Sequence, residues 1–266
     1  MLIRSNITRD AFSLVELSIV LVILGLLTGG ILTGQSLIRV AELRSVVSEF
    51  QRYQTAAGTY RDQYFAIPGD MTNATAFWGS MTNCGVASPS GSGTQTCNGN
   101  GNGVLEGAIV SRTGESMTFW QHLANAGLIE GTYTGISGAG GDNHAIIGVN
   151  VPASKMTNAG WSTNYIGPGF AGNASFYADS TGNQLRFGQQ ISTGNTHGPV
   201  LKPEEAWNVD TKVDDGKPAR GLIHAVYWNN LCASADDGSS TANDPAASYR
   251  LTDTTAQCAL ILRNIF

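Results

Sequence analysis

Three aspartates, Asp210, Asp214 and Asp215, crowd into six residues of the segment "AWNVDTKVDDGKPARGLI". Carboxylates at this density supply the hard oxygen donors that calcium prefers. The same residues also suit an Asp-Gly turn at Asp215 and Gly216, ordered by side-chain-to-backbone hydrogen bonds and needing no ion. A second oxygen-rich run, "NGNGNGVLEG", sets Asn98, Asn100 and Asn102 at alternate positions ahead of Gly103. That is the order in which an EF-hand-type calcium loop begins. Its charges are wrong for the ion, because the leading ligands are neutral amides, Glu106 is the nearby acid and Ile109 stands where a bidentate glutamate belongs. A Gly-Asn turn is the simpler reading there. If the chain holds a structural calcium ion, the aspartate cluster is the expected place; no other cofactor is expected.

The cysteines, Cys84, Cys97, Cys232 and Cys258, fall into a close pair and a wider pair, with no CxxC spacing and no His/Cys cluster beside them. Zinc is therefore not indicated. Two disulfides made outside the cytoplasm, Cys84–Cys97 and Cys232–Cys258, account for them. His122, His144, His197 and His224 lie far apart, and none adjoins a nucleophile. His122 falls on a short helical pattern without an acid pair, as a surface or hydrogen-bonded histidine would. The chain has no G-x-S-x-G, H-E-x-x-H or phosphate loop, so it is not expected to be an enzyme. A net charge of −5 argues against gripping nucleic acid, which calls for a dense basic patch.

Glu16 poses the sharpest chemical question. It lies in "AFSLVELSIVLVILGLL" and is the only charge in residues 12–38. That apolar length exceeds the ~20 residues a helix needs to span a bilayer. Arg4 and Arg9 precede it, so the N-terminus should remain cytoplasmic. A cleaved secretory signal would share this layout, yet the run is too long and the "TGGILTGQS" behind it offers no A-x-A site. A carboxylate at this depth costs roughly 2.5–3.5 kcal/mol on insertion scales, which marks it as functional and in need of a partner. Cutting the chain between Ala11 and Phe12 would create an α-amino group one helical turn before Glu16. Ammonium and carboxylate could then neutralise each other within a chain or between neighbours.

These residues resemble the N-terminal signature of type IV prepilins and the related type II secretion pseudopilins. The resemblance covers about residues 9–45. It implies a leader of residues 1–11 cut by a prepilin peptidase, N-methylation of Phe12, and an assembly role for Glu16. Two departures are visible. The leader ends in Ala11 where the family has Gly. The apolar segment also lacks the family's helix-bending proline and carries Gly29, Gly30 and Gly34 instead. Those glycines loosen the helix locally, or let neighbouring helices approach closely through Gly30 and Gly34.

The elements that must carry these residues follow from periodicity. Val46, Phe50, Tyr53, Ala57, Tyr60 and Tyr64 recur at three- and four-residue spacing, while Arg39, Glu42, Arg44, Glu49, Arg52 and Arg61 fall mostly off that stripe. The helix should thus continue from the apolar half (residues 12–38) through an amphipathic half (residues 39–67) and stop at "AIPGD". Residues 68–266 should form a globular head. It should contain a disulfide-closed loop over residues 79–103, a short helix in "SMTFWQHLANAGLIEG", and β-like runs "HAIIGVNV", "ASFYAD", "NQLRFGQQI", "GLIHAVYW" and "CALILRNIF". Short strands divided by Gly, Asn and Asp suggest an antiparallel sheet. The fold class is α+β, and the resemblance implies the pilin fold.

The expected function is a structural subunit of a type IV pilus or type II secretion pseudopilus. Such a subunit would be held in the bacterial inner membrane before assembly, and in a fibre in the periplasm or on the cell surface afterwards. Its partners would be itself and other pilins, the peptidase and an inner-membrane assembly platform. One alternative is a minor or tip subunit with an adhesive or DNA-binding role, which the large head favours. Another, from a different class, is a membrane-anchored periplasmic binding or enzyme domain.

Overall fold

The computed structural model describes residues 13–86, 89–107, 114–168, 176–177, 179–226, 231–234, 244–263 and 265. Helix α1 spans Leu14–Tyr64. It ends where the periodicity predicts: Phe65 turns into the left-handed region at φ 53°, its N–H still donating to the Arg61 carbonyl, and Pro68 and Gly69 follow. The chain divides into two compact units, Met1–Glu42 and Leu43–Phe266.

In the first unit the large apolar side chains from Leu14 to Ile38 are all exposed. Among its hydroxyls, those of Ser18, Thr28, Thr33 and Ser36 donate to carbonyls three or four residues back. Polar groups satisfied within their own helix are what a lipid environment requires. Arg39 and Glu42 pair at 3.0 Å near the end of this unit.

In the second unit α1 contributes its stripe to the core: Val46, Phe50, Tyr53, Ala57 and Tyr60 are buried. Glu49, expected off that stripe, is buried on it. Its Oε2 accepts hydrogen bonds from Trp161 Nε1 and Ser154 Oγ at 2.7 Å, and its Oε1 accepts one from the Lys155 N–H at 2.8 Å. A carboxylate with three donors can stay inside where a bare one could not.

Further helices are α2 (Ala74–Trp78), α3 (Glu115–Asn125) and α4 (Pro203–Val213). Strands are β1 (Gly160–Ile166), β2 (Gly182–Gly188), β3 (Ile223–Ala225), β4 (Ala233–Ser234), β5 (Ser248–Tyr249) and β6 (Leu260–Arg263). Four form one antiparallel sheet in the order β1-β2-β6-β3, and β4 pairs with β5. Alternate residues Trp161, Leu185, Phe187, Leu260 and Leu262 join the core with the α1 stripe and α3. Tyr53 of α1 meets Trp161 of β1 at 5.6 Å and Trp120 of α3 at 4.9 Å between ring centroids, both edge to face. An α+β fold with a long N-terminal helix and an antiparallel sheet is thus present.

One local expectation changes, and one strand lies where none was expected. "HAIIGVNV" is not a strand but a turn with an isolated Ile147–Val151 bridge. Gly148 sits at φ 80°, and the buried Asn150 amide ties the Ile146 N–H and the carbonyls of Ile136 and His144 together. "GWSTNYI" is a strand despite its polar look, because its register sets Trp161 opposite Phe187 and Thr163 opposite Leu185 on the core face. Of "ASFYAD" only Phe176, Tyr177 and Asp179 lie within the described residues. Both disulfides pair as expected, Cys84–Cys97 and Cys232–Cys258.

Candidate functional site

At the start of α1 the Ser13 N–H donates to Glu16 Oε2 at 2.9 Å, while the Glu16 N–H faces Ser13 Oγ at 3.4 Å. This reciprocal pair is a capping box, and the S-x-x-E spelling of "SLVE" was its overlooked sequence signal. It satisfies helix-terminal donors that lipid could not, and sets a negative charge at the positive end of the helix dipole. Oε1 of Glu16 makes no hydrogen bond among the described residues. The carboxylate is therefore oriented by its own chain and keeps an oxygen for a second donor. Ala11 and Phe12, the expected cleavage site, lie outside the described residues.

The structure does bring Asp210, Asp214 and Asp215 together, with one oxygen from each within 4.8 Å of the others. Helix α4, which sequence reasoning did not anticipate, delivers Asp210; Pro203 at its start and Glu204 and Glu205 in its first turn were readable signals. Asp210 accepts from the Gly216 N–H at 3.1 Å and from the Tyr249 hydroxyl at 2.8 Å. Asp214 Oδ2 accepts from the N–H groups of Leu222 and Ile223. Asp215 accepts from the Lys217 N–H at 2.8 Å and from Arg220 Nε at 2.9 Å. Among the described residues, Asp214 Oδ1 alone of the six oxygens carries no such bond. A calcium ion here would have to share oxygens that already order the turn. Burial pushes the Asp210 carboxyl up to about 7, with hydrogen bonds from Tyr249 and Gly216 opposing and the charges of Asp214 and Asp215 adding to the rise.

The asparagine loop is a wrapper. Asn98, Asn100 and Asn102 use their side-chain oxygens on the N–H groups of Thr75, Asn102 and Val104. The loop closes around Asp70, which sequence reading passed over: its carboxylate accepts from the Gly101 N–H at 2.5 Å and the Gly103 N–H at 2.7 Å. Glu106 accepts from the amides of Asn100 and Asn102. Nearby Glu115, also unanticipated, accepts from the Asn100 and Glu106 N–H groups. Burial raises its carboxyl to about 8, backbone hydrogen bonds counteract, and the charges of Asp70 and Glu106 add.

His122 is a hydrogen-bonded histidine, and a fully buried one. Its Nδ1 accepts from the Gly69 N–H at 2.9 Å, which places the ring proton on Nε2 facing Thr96 Oγ1 at 3.0 Å. Thr96 in turn donates to Gln121 at 2.7 Å. Gly69 fits because it sits at φ 88° and any Cβ would strike the Glu115 carbonyl. Burial drives the His122 pKa down to about 3, so the ring stays neutral as a clamp between the α1 exit and the disulfide loop. His144 caps the Gly140 N–H and His224 contacts Ser180. Comparison of the chain with protein-family models, with characterised proteins and with solved structures finds no match.

Proposed function

We propose that the chain is a prepilin-type fibre subunit whose mechanism is assembly rather than turnover. One observation carries this reading: α1 exposes an unbroken apolar segment whose only charge, Glu16, is oriented by Ser13 and keeps one carboxylate oxygen without a partner among the described residues. In the proposed cycle, residues 12–38 wait in the inner membrane after cleavage at Ala11. They then exchange lipid for the same segment of neighbouring subunits, with Glu16 pairing the Phe12 amine next door and setting the axial register. Residues 43–266 fold outside the cytoplasm, where their disulfides can form. The assembly platform and other pilins are the implied partners. A structural calcium ion at Asp210, Asp214 and Asp215 would be an accessory, not part of assembly.

The test is the mature N-terminus together with fibre incorporation. Intact-mass analysis should find a methylated Phe12 as the first residue. Glu16→Leu should insert and fold yet be lost from sheared fibres by at least tenfold. A retained Met1 would point instead to a membrane-anchored periplasmic domain.

A further inference from the structure

Strand β2 carries a buried cation, on the sheet face away from the main core. Leu185 and Phe187 point into that core, whereas Arg186 between them joins a row made with Ser162 of β1, Ile261 of β6 and His224 of β3. Arg186 is 4% exposed, and its guanidinium carbon lies 4.8 Å from the centroid of the Phe176 ring. Among the described residues its Nε has no hydrogen-bond partner and no carboxylate pairs with it. Arginine is almost never buried unless paired, because its charge persists and burial removes the water that would solvate it. Phe176 compensates for only one face of the guanidinium plane.

No carboxylate among the described residues acts on the guanidinium, although Asp179 acts on His224 in the same row. His197, whose ring stands 6.2 Å from Phe176, is itself driven down to about 4 by burial and by the Arg186 charge. Thr196 fixes the backbone on this side, donating to the Arg186 carbonyl at 2.9 Å. The guanidinium is thus held against the Phe176 ring with its buried Nε donor unpaired among the described residues, and its planar fork matches two oxygens of a carboxylate or phosphate side-on.

We propose that Arg186, stacked on Phe176 behind the sheet, binds a small oxyanion of the carboxylate or inorganic phosphate kind as its counter-ion. The site lies within residues 43–266 and draws on none of the residues proposed for assembly.

The full chain in detergent should be melted in sodium phosphate, sodium acetate and sodium chloride at constant ionic strength. Phosphate or acetate should raise Tm saturably, by about 5–10 °C at a hundredfold excess over Kd. The stronger of the two arms identifies inorganic oxyanion or carboxylate as the preferred class. Arg186→Met keeps the stem on Phe176 and removes the charge, so it should lose that response and melt higher than wild type without added oxyanion. No saturable rise with either oxyanion, an equal rise with chloride, or an equal rise in Arg186→Met would each overturn the proposal. Should Arg186→Met fail to fold, calorimetric titration of phosphate and acetate into the wild-type chain decides: saturable heat supports the site, and its absence with both rejects it.

Discussion

Replacing Glu16 with glutamine or leucine separates two tasks that one carboxylate combines. Glu16→Gln keeps an oxygen for the Ser13 N–H and removes the charge; Glu16→Leu removes both. If the charge sets subunit register, both variants lose fibre incorporation while membrane insertion is retained or improved. If Glu16 were only a helix cap, Glu16→Gln would assemble like wild type. Counting each variant in sheared fibres against its level in the membrane distinguishes the outcomes. Glu49 offers a second residue-scale test, since its three donors lie on the segment that docks against α1. Glu49→Leu strands all three, at roughly 1–3 kcal/mol for each buried donor left unsatisfied. A thermal melt should fall by more than 5 °C, and Glu49→Gln by less. An unchanged melt for Glu49→Leu would mean that the latch does not hold the docked segment.

The elements were legible to very different degrees. Helix α1 and its stop were readable because an apolar run, a helical stripe and Pro-Gly punctuation agreed, and β2, β3 and β6 because short apolar runs were bounded by turn formers. Strand β1 was hidden by Ser162, Thr163 and Asn164, polar residues that give no apolar alternation although the first two are buried beside β2. Helix α4 was hidden because its start signals, Pro203, Glu204 and Glu205, lead into an acid-rich run without an extended apolar stripe. At the site, Asp210, Asp214 and Asp215 were visible as a cluster, but their hydrogen-bond partners come from β5 and the approach to β3, which no local spacing reveals. Asp214→Ala should accordingly lower Tm even in chelator, because the Leu222 and Ile223 N–H groups lose their acceptor. If calcium also binds, wild type should gain further Tm in millimolar calcium and Asp214→Ala should not. An Asp214→Ala melt equal to wild type in chelator would show that the turn does not depend on this carboxylate.

For the molecule as a whole, buried titratable groups of opposite kinds bound the pH range of stability. His122, His197 and His224 have folded pKa values lowered to about 3, 4 and 4, chiefly by burial. Their contribution is complete above the unfolded value near 6.5 and is lost as pH falls toward those folded values. Glu115 and Asp210 are raised to about 8 and about 7, so their contribution is complete below the unfolded carboxyl range and is lost as pH rises through those values. Tm should therefore decline between pH 6.5 and 9, and the double variant Glu115→Gln, Asp210→Asn should flatten that decline. A double variant that follows the wild-type curve in shape would remove these carboxyls as the cause. The sheet order adds a constraint in time. β6, the last of the described strands in chain order, sits between β2 and β3. Until residues 260–263 arrive, β2 and β3 each present open backbone donors and acceptors, which are templates for pairing with another chain. A chain whose residues 260–263 have not yet docked would be the aggregation-prone form of this protein.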